Sequence, residues 1–389
     1  MDTVPQNWKR EDLMPFADEL LGDRVAAELV AAVAAVVDDP ALPALRVAAA
    51  DLAGRPLRER SDLLRDALLH DLPTGYAAFA ATVRAALHGG LPFGGWLIWP
   101  VSTAVAARAV EDGGTAAFDD AMALLAELTP RLTSEFAVRV LLDRDLDRAL
   151  AIVGTWTASP DEHVRRLASE GTRPFLPWAR RVPGILADPR ATIPVLDALY
   201  GDESEYVRRS VANHLNDLSR HHPELVVETA TRWLAAPGPD TARLVRHALR
   251  TLVKQGDTGA LALLGFGTAT ALEVSALVLA ASDIPFGGTV RFSATITNTA
   301  AVPARIAVDY VVHHRKADGS LRGKTFKLTT ATLAPGESRV VSRDHSFREV
   351  TTRRYHPGGH AIELQLNGVR TGRTEFTLLP GSDPRTRRS

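Results

Sequence analysis

The segment Ser159–Arg181, SPDEHVRRLASEGTRPFLPWARR, combines residue types that can support hydrolysis. Helix-start residues open it and Gly171 ends the helix, so Glu170 is predicted to lie in the last helical turn. The helix dipole disfavours a carboxylate at that end, and a nearby cation must compensate for it. Arg166 and Arg173 can supply that cation. A carboxylate held in this way can orient or deprotonate water, or stabilise a positive charge.

A second carboxylate and a tryptophan extend this pattern, and each also has a simpler interpretation. Asp217 is predicted to lie beside the apolar stripe of a later helix, where an aspartate is most often a surface residue. Trp178 follows a proline and such a tryptophan is more often a core side chain than a platform for a ligand. Glu170 itself could pair with Arg166 on a solvated helix face. The residue pattern alone does not decide between a catalytic and a structural role.

Helices must position these side chains, because apolar residues recur at spacings of three and four from Met14 to about Leu263. Val-Arg-Arg at 164–166 and 207–209 and Val-Arg-His at 245–247 recur at intervals of 43 and 38 residues, which suits HEAT-like units of two helices each. Stacked helix pairs form a curved solenoid with a concave inner surface. We predict that one aligned helix face lines this surface, with arginines along it and carboxylates set among them.

The character of the sequence changes after about Phe266, where alternating apolar residues and closely spaced Gly, Pro and Asp turns replace the helical pattern. Roughly seven short strands over ~120 residues are expected, a number typical of an immunoglobulin-like β-sandwich. The predicted fold is therefore mainly α, with a HEAT-like helical-repeat domain at residues 1–265 and a small all-β immunoglobulin-like sandwich at residues 266–389. The clearest predicted strands are 289–297, 305–314, 324–333, 338–345, 361–367 and 373–378.

Composition excludes several classes of chemistry. The 389-residue chain contains no cysteine, so disulfide scaffolds, thiolate zinc sites and thiol nucleophiles are ruled out. A formal net charge of −1 means that any surface for nucleic acid must arise from local segregation of charge. We expect neither a secretory signal nor a membrane-spanning stretch, and therefore a cytoplasmic protein.

Three motifs, in their order along the chain, resemble the AlkC branch of the HEAT-repeat alkylpurine DNA glycosylases: SEFAVR at 134–139, LASEGTRPFLPW at 167–178 and VANHLNDL at 211–218. The resemblance covers most of the helical region, weakly before about Leu91. It extends to the β-rich region, because one subset of that family appends an immunoglobulin-like domain. The resemblance implies a DNA repair enzyme, a DNA N-glycosylase that hydrolyses the bond between an alkylated base and its sugar.

The same resemblance implies roles for individual residues. The catalytic carboxylates of the family correspond to Glu170 and Asp217, with Glu135 as a third acidic member, and its active-site tryptophan corresponds to Trp178. One departure matters, because Phe175 stands where the family usually has a basic residue. It affects one expected phosphate contact and not the chemistry.

The implied substrates are cationic alkylated bases in duplex DNA, namely 3-methyladenine, 3-methylcytosine and 1-methyladenine. Alkylation has already weakened the N-glycosidic bond of such a base, and the sugar develops oxocarbenium character as the base leaves. Nearby carboxylates stabilise that charge and position the water, and an aromatic face packed on the deoxyribose favours it by about 0.5 to 2 kcal/mol. The family reaches the sugar within the helix, so base flipping is not expected. No metal or other cofactor is required, and the enzyme is expected to act as a monomer.

Positioning on duplex DNA depends on phosphate contacts by basic side chains, which bind without reading sequence. Two basic clusters, His313-His314-Arg315-Lys316 and Arg353-Arg354, lie in predicted loops of the sandwich, and by resemblance one such loop reaches the minor groove. The histidines there lack the further partners that a metal site needs. The candidate DNA-binding residues are Arg165, Arg166, Arg173, Arg180, Arg181, Arg208, Arg209, Arg246, Arg250, Lys254, Arg315, Lys316, Arg353 and Arg354.

Two other functions are compatible with the same sequence. HEAT-like arrays often act as protein-binding platforms, which would predict an apolar or mixed groove rather than one lined by arginines. A non-catalytic relative could instead bind distorted or branched DNA, and only an activity assay distinguishes it from the enzyme.

Overall fold

A computed structural model describes residues 17–267, 271–349 and 354–381. The chain divides into two compact units, one of Met1–His222 with Ala236–Ala248 and one of Pro223–Ala235 with Leu249–Ser389. The described helices are α1 (Ala17–Leu20), α2 (Asp23–Ala34), α3 (Pro43–Ala50), α4 (Leu57–Asp71), α5 (Tyr76–His88), α6 (Ile98–Asp112), α7 (Thr115–Leu128), α8 (Val138–Arg144), α9 (Leu146–Trp156), α10 (Glu162–Gly171), α11 (Pro183–Ala187), α12 (Ile193–Leu199), α13 (Glu205–Leu218), α14 (Pro223–Ala235), α15 (Thr241–Ala248), α16 (Arg250–Gln255) and α17 (Thr258–Leu263).

Helices α1 to α13 and α15 belong to the first unit, whereas α14, α16 and α17 group with the strands in the second. A domain boundary after residue 265 therefore stays a prediction. None of the described helices is at once long and apolar enough to cross a membrane.

The three Val-Arg motifs fall in equivalent helices, α10, α13 and α15, and α13 packs against both of the others. The predicted apolar stripe of α13 is buried, which explains the packing: Val207, Val211 and Leu215 are inaccessible to solvent, and Leu218 is nearly so. The predicted helical-repeat architecture is confirmed in this unit.

The first arginine of two of these motifs joins neighbouring repeats. Arg165 donates from Nη1 to the carbonyl oxygens of Ser159 and Pro160, at 3.0 and 3.2 Å, and its Nε lies 2.7 Å from Oδ2 of Asp202. Arg208 likewise donates to the two carbonyls before its own helix, at 2.5 and 2.8 Å, and pairs with Asp240 at 2.9 Å. The sequence period of the arginines therefore reflects a repeated structural contact.

The second unit contains a β-sandwich. Its described strands are β1 (Leu272–Val274), β2 (Val278–Leu279), β3 (Asp283–Ile284), β4 (Thr289–Asn298), β5 (Ala304–Arg315), β6 (Leu321–Leu333), β7 (Ser338–Ser346), β8 (Gly358–Leu366) and β9 (Val369–Leu378). In one sheet β4 pairs antiparallel with β7, β1 and β2; the other has the order β3-β9-β8-β5-β6. Side chains from both sheets share one core, in which the rings of Phe292 and Tyr310 have centroids 5.1 Å apart.

Six of these strands, β4 to β9, match the predicted segments, and the predicted sandwich class is confirmed. The predicted loop position of His313, His314 and Arg315 is wrong, because the pairing of β5 with β6 continues through these residues and only Lys316 lies in the turn. The short strands β1 to β3 were not predicted. Strands of two or three residues are too short to show alternation between apolar and polar residues, so sequence periodicity cannot detect them.

Candidate active site

Glu170 occupies the last turn of α10, as predicted. Asp161 caps the start of that helix by accepting a 2.7 Å hydrogen bond from the amide of His163. The helix ends at Gly171, where a Cβ atom would lie 2.7 Å from Cγ1 of Val138, so a larger residue would force α10 and α8 apart. This close approach places the Glu170 carboxylate in a buried position, with 8% of its side chain exposed.

One guanidinium joins Glu170 to Asp217. Nη1 of Arg173 lies 2.6 Å from Oε1 of Glu170, while Nε and Nη2 of the same side chain donate to the two oxygens of Asp217 at 2.9 and 3.2 Å. Burial alone would lower the pKa of Arg173, but the two carboxylates outweigh that effect and raise its pKa. The structure thus brings together two carboxylates that are 47 positions apart in the sequence, on the ends of neighbouring repeat helices.

Glu135 extends the arrangement. Its Oε2 lies 2.9 Å from Nη1 of Arg166, whose Nη2 is 3.5 Å from Glu170, and the Arg166 guanidinium lies 5.0 Å from the centroid of the Tyr206 ring. Burial raises the pKa of Glu135, and the Arg166 cation opposes that increase. We call the five ionisable residues Glu135, Arg166, Glu170, Arg173 and Asp217 the ionic cluster.

The ionic cluster alternates acid and base and carries an excess of negative charge. Three carboxylates and two guanidiniums give a formal net charge of −1 when all five are ionised. Each of the three carboxylates has a guanidinium nitrogen within 3 Å, at 2.9 Å for Glu135, 2.6 Å for Glu170 and 2.9 Å for Asp217. Such a cluster favours a positive charge that develops beside it.

Ser210 contacts the cluster directly, and His214 and Thr192 hold the backbone of α10 next to Glu170; none of the three was singled out as a candidate from the sequence. The Ser210 hydroxyl donates to Oε2 of Glu170 at 2.6 Å. His214 is fully buried, with Nδ1 3.0 Å from the carbonyl oxygen of Ser169 and Nε2 3.0 Å from Oγ1 of Thr192. Burial lowers the pKa of His214 to about 3, so its ring is neutral and donates from Nδ1. In the sequence, His214 is a polar residue within an apolar helix stripe, and it lies inside the quoted motif at 211–218.

Trp178 lies on the loop after α10 and is 68% exposed, so it is not a core side chain. Its backbone has φ of 60°, in the left-handed region that side-chain-bearing residues rarely adopt. Arg58 of α4 donates a hydrogen bond to its carbonyl oxygen. Backbone strain at an exposed aromatic residue is typical of functional sites, where surrounding contacts hold it in place.

Arg139 holds the same loop from inside the protein, although the sequence analysis quoted it only as part of a motif. Its side chain is completely buried and donates to the carbonyl oxygens of Gly171, Arg173 and Arg180, at 2.8, 2.8 and 2.6 Å. Burial, assisted by the charges of nearby arginines including Arg181, lowers the pKa of Arg139 to about 10. The hydrogen bonds from the Arg139 side chain to these backbone carbonyls fix the path of the chain between Glu170 and Trp178.

The candidate DNA-binding residues fall into two groups. Arg165, Arg166, Arg173 and Arg208 are buried or nearly so and paired with carboxylates, so a phosphate would have to compete with those partners. Arg180 pairs with Asp143 at 2.5 Å and Arg209 with Glu205 at 3.3 Å, but both are exposed. The other described candidates are exposed or partly exposed: Arg181, Arg246, Arg250, Lys254, Arg315, Lys316 and Arg354. Arg353 lies outside the described residues.

Among the described residues, no three His, Asp or Glu side chains come together in a group that could hold a metal ion. His313 and Glu363 pair within the sheet at 2.9 Å, and Glu363 also pairs with Arg370 at 3.3 Å.

Comparisons with known proteins show what the chain is similar to. Residues 128–251, which contain the whole ionic cluster, match the family model of a DNA alkylation repair enzyme, and residues 273–380 match that of the C-terminal Ig-like domain of the uncharacterised protein YhaZ. The structure of Pseudomonas fluorescens alkylpurine DNA glycosylase AlkC, bound to DNA containing an abasic site analog, superposes with a TM-score of 0.80 at 34% identity. That match covers 94% of this chain and 100% of AlkC.

The chain belongs to the AlkC-type family of DNA alkylation repair glycosylases. The uncharacterised protein YhaZ of Bacillus subtilis (strain 168) is a further relative, 38% identical over 259 residues, which are 67% of this chain and 72% of YhaZ. The expected family and enzyme class are confirmed, as is the C-terminal immunoglobulin-like domain that marks one subset of the AlkC-type glycosylases.

Proposed function

We propose that this AlkC-type glycosylase hydrolyses the N-glycosidic bond of cationic alkylated bases in duplex DNA, with 3-methyladenine, 3-methylcytosine and 1-methyladenine as substrates. The observation that carries the proposal is the ionic cluster, whose excess negative charge suits a sugar that becomes positive as its base leaves. A cationic base is a good leaving group without further protonation, so the mechanism needs no metal.

Glu170 and Asp217 stabilise the oxocarbenium ion and position the attacking water. Each has 8% of its side chain exposed, and Glu135 has 12%, so one edge of the cluster faces solvent. Arg173 holds both carboxylates at fixed positions, so little reorganisation is needed when charge develops. As the resemblance to the AlkC-type family implies, the sugar is approached with the base still stacked in the duplex, so base flipping is not part of this proposal.

Exposed basic side chains bind the DNA backbone without reading sequence. Residues 1–265 would form the catalytic domain, and residues 266–389 would contribute basic side chains such as Arg315, at the end of β5, and Lys316, in the turn that follows. The protein is proposed to act as a monomer.

The proposal is tested by incubating the purified protein with alkylated duplex DNA and separating the released bases by chromatography. Release of free 3-methyladenine, 3-methylcytosine or 1-methyladenine is expected, with matched unmodified duplex as the control. Binding to such DNA with no release of any of these bases would favour the non-catalytic alternative.

Trp178 provides a second test of the proposed function. Because its backbone is strained, glycine and alanine at this position should differ in stability although both remove the ring. Replacing Trp178 with glycine or alanine removes the ring that packs on the sugar, so base release should fall about 2- to 30-fold in both variants. Glycine also relieves the left-handed strain, so Trp178→Gly should be more stable than Trp178→Ala by about 1 kcal/mol. Thermal unfolding followed by circular dichroism measures the difference. Equal stability of the two variants would contradict the backbone strain at Trp178. Full activity in either variant would contradict the packing of its ring on the sugar.

A further inference from the structure

Phe175 organises two arginines beside the ionic cluster. The guanidinium carbon of Arg181 lies 4.9 Å from the centroid of the Phe175 ring, that of Arg220 lies 4.6 Å from it, and the His221 ring is 5.7 Å away. Cation–π attraction of this kind orients a guanidinium through the ring face and leaves its N–H groups available. Both arginines are exposed.

Neither arginine is neutralised. In the three described stretches of the chain, no carboxylate pairs with Arg181 or Arg220, and the only side-chain hydrogen bonds of Arg181 are long ones, 3.4 and 3.3 Å, to the carbonyls of Pro174 and Leu176. Arg165, Arg166 and Arg173, by contrast, each have a carboxylate partner within 3 Å. Two unpaired, planar cations held near one ring form a site for an anion that accepts several hydrogen bonds.

The arginine pair lies close to the residues proposed to act in the reaction. Phe175 lies between Arg173 and Trp178 in the chain, and the backbone amide of Arg220 donates to the carbonyl oxygen of Asp217 at 3.4 Å. A groove of about 240 Å³, lined by Phe175, Leu186, Leu218 and His221 among others, adjoins the pair. Phe175 and Arg181 lie on the loop after α10, and Arg220 directly follows α13, so both arginines come after the helices that carry Glu170 and Asp217.

We propose that Arg220 and Arg181 together bind a phosphate of the DNA backbone, and that Phe175 is the positioning residue that holds them. This inference rests on the proposed function. It assigns a role to Arg220, and it accounts for the phenylalanine at a position where a basic side chain was expected: the positive charge is supplied by two arginines that pack near the ring and not by position 175 itself.

The test measures the affinity of the full chain for a fluorescein-labelled duplex containing a tetrahydrofuran abasic site, over a series of salt concentrations. Arg220→Gln should weaken binding about 5- to 10-fold at moderate salt and reduce the slope of log affinity against log salt by about 1, because one phosphate contact is lost. Phe175→Leu should weaken binding about 2- to 3-fold, since the arginines lose their orienting face. Arg24→Gln is the matched control: it removes an exposed arginine that pairs with Glu28, and binding should be unchanged.

The double variant Phe175→Leu/Arg220→Gln shows whether Phe175 affects DNA binding by positioning the arginines or only through the loss of its own packing. If Phe175 acts through the arginines, the double variant should bind no more than about 2-fold more weakly than Arg220→Gln alone. A salt slope unaltered by Arg220→Gln, or fully additive losses in the double variant, would overturn the proposal. The readout is DNA binding, so a protein that binds DNA with the expected slope changes but releases no base would refute the proposed reaction and not this site.

Discussion

Replacement of Glu170 by glutamine, or of Asp217 by asparagine, is expected to lower the rate of base release from alkylated duplex DNA about 100- to 1000-fold, while DNA binding is retained. Each change removes one negative charge from the ionic cluster and keeps the shape of the side chain, so a positive sugar is no longer favoured. Single-turnover release of 3-methyladenine or 3-methylcytosine measures the effect. Affinity for the abasic duplex should change less than about 3-fold, since neither carboxylate is proposed to contact phosphate.

A matched carboxylate outside the cluster provides the control. Glu205 is exposed and pairs with Arg243 and Arg209 on the surface of the same repeat as Asp217. Glu205→Gln should therefore leave base release within about twofold of the unmodified protein. Full activity in both Glu170→Gln and Asp217→Asn would be incompatible with the proposed roles.

The second large effect concerns stability. Replacing Arg173 with alanine leaves two buried carboxylates without their shared cation, which should lower the free energy of unfolding of the first unit by about 3 to 5 kcal/mol. Base release should be lost as well, because the carboxylates are no longer held in place. Arg209→Ala, which breaks only an exposed pair with Glu205, should change stability by less than about 0.5 kcal/mol.

Urea unfolding followed by tryptophan fluorescence suits this measurement. Of the described tryptophans, Trp96, Trp99, Trp156 and Trp178 belong to the first unit and Trp233 to the second. Adding Glu170→Gln and Asp217→Asn to Arg173→Ala removes the unpaired charges, so the triple variant should be more stable than Arg173→Ala alone. A triple variant less stable than the single one would show that the loss comes from packing and not from unpaired charge.

Much of the helical unit could be predicted because its information is local. Capping residues and a glycine defined α10, and the dipole argument correctly required a cation at Glu170. Which residues meet across repeats could not be predicted in this way. Arg173 reaches Asp217 and Arg165 reaches Asp202 only because α10 and its neighbours pack at a particular register, and that register depends on the whole core.

The environment of each arginine could not be predicted from the sequence either. Adjacent arginines in a Val-Arg-Arg motif look equivalent in sequence, yet Arg208 is buried against loop carbonyls and Arg209 is exposed. Arg220 lies outside any motif and its place beside Phe175 depends on tertiary structure alone. Sequence could therefore indicate that the surface is basic, but not which cations are available to a ligand.

The excess negative charge of the ionic cluster has a consequence for normal nucleotides. An anionic environment speeds bond breakage only when the departing group can accept the bonding electrons, and an unmodified purine must first gain a proton to do so. Ser210 and His214 are buried, and their donor groups are already committed to Glu170 and to the Ser169 backbone. If the proposed reaction is correct, healthy DNA would be spared by its own chemical inertness, and the protein would need no cavity that sorts one base from another.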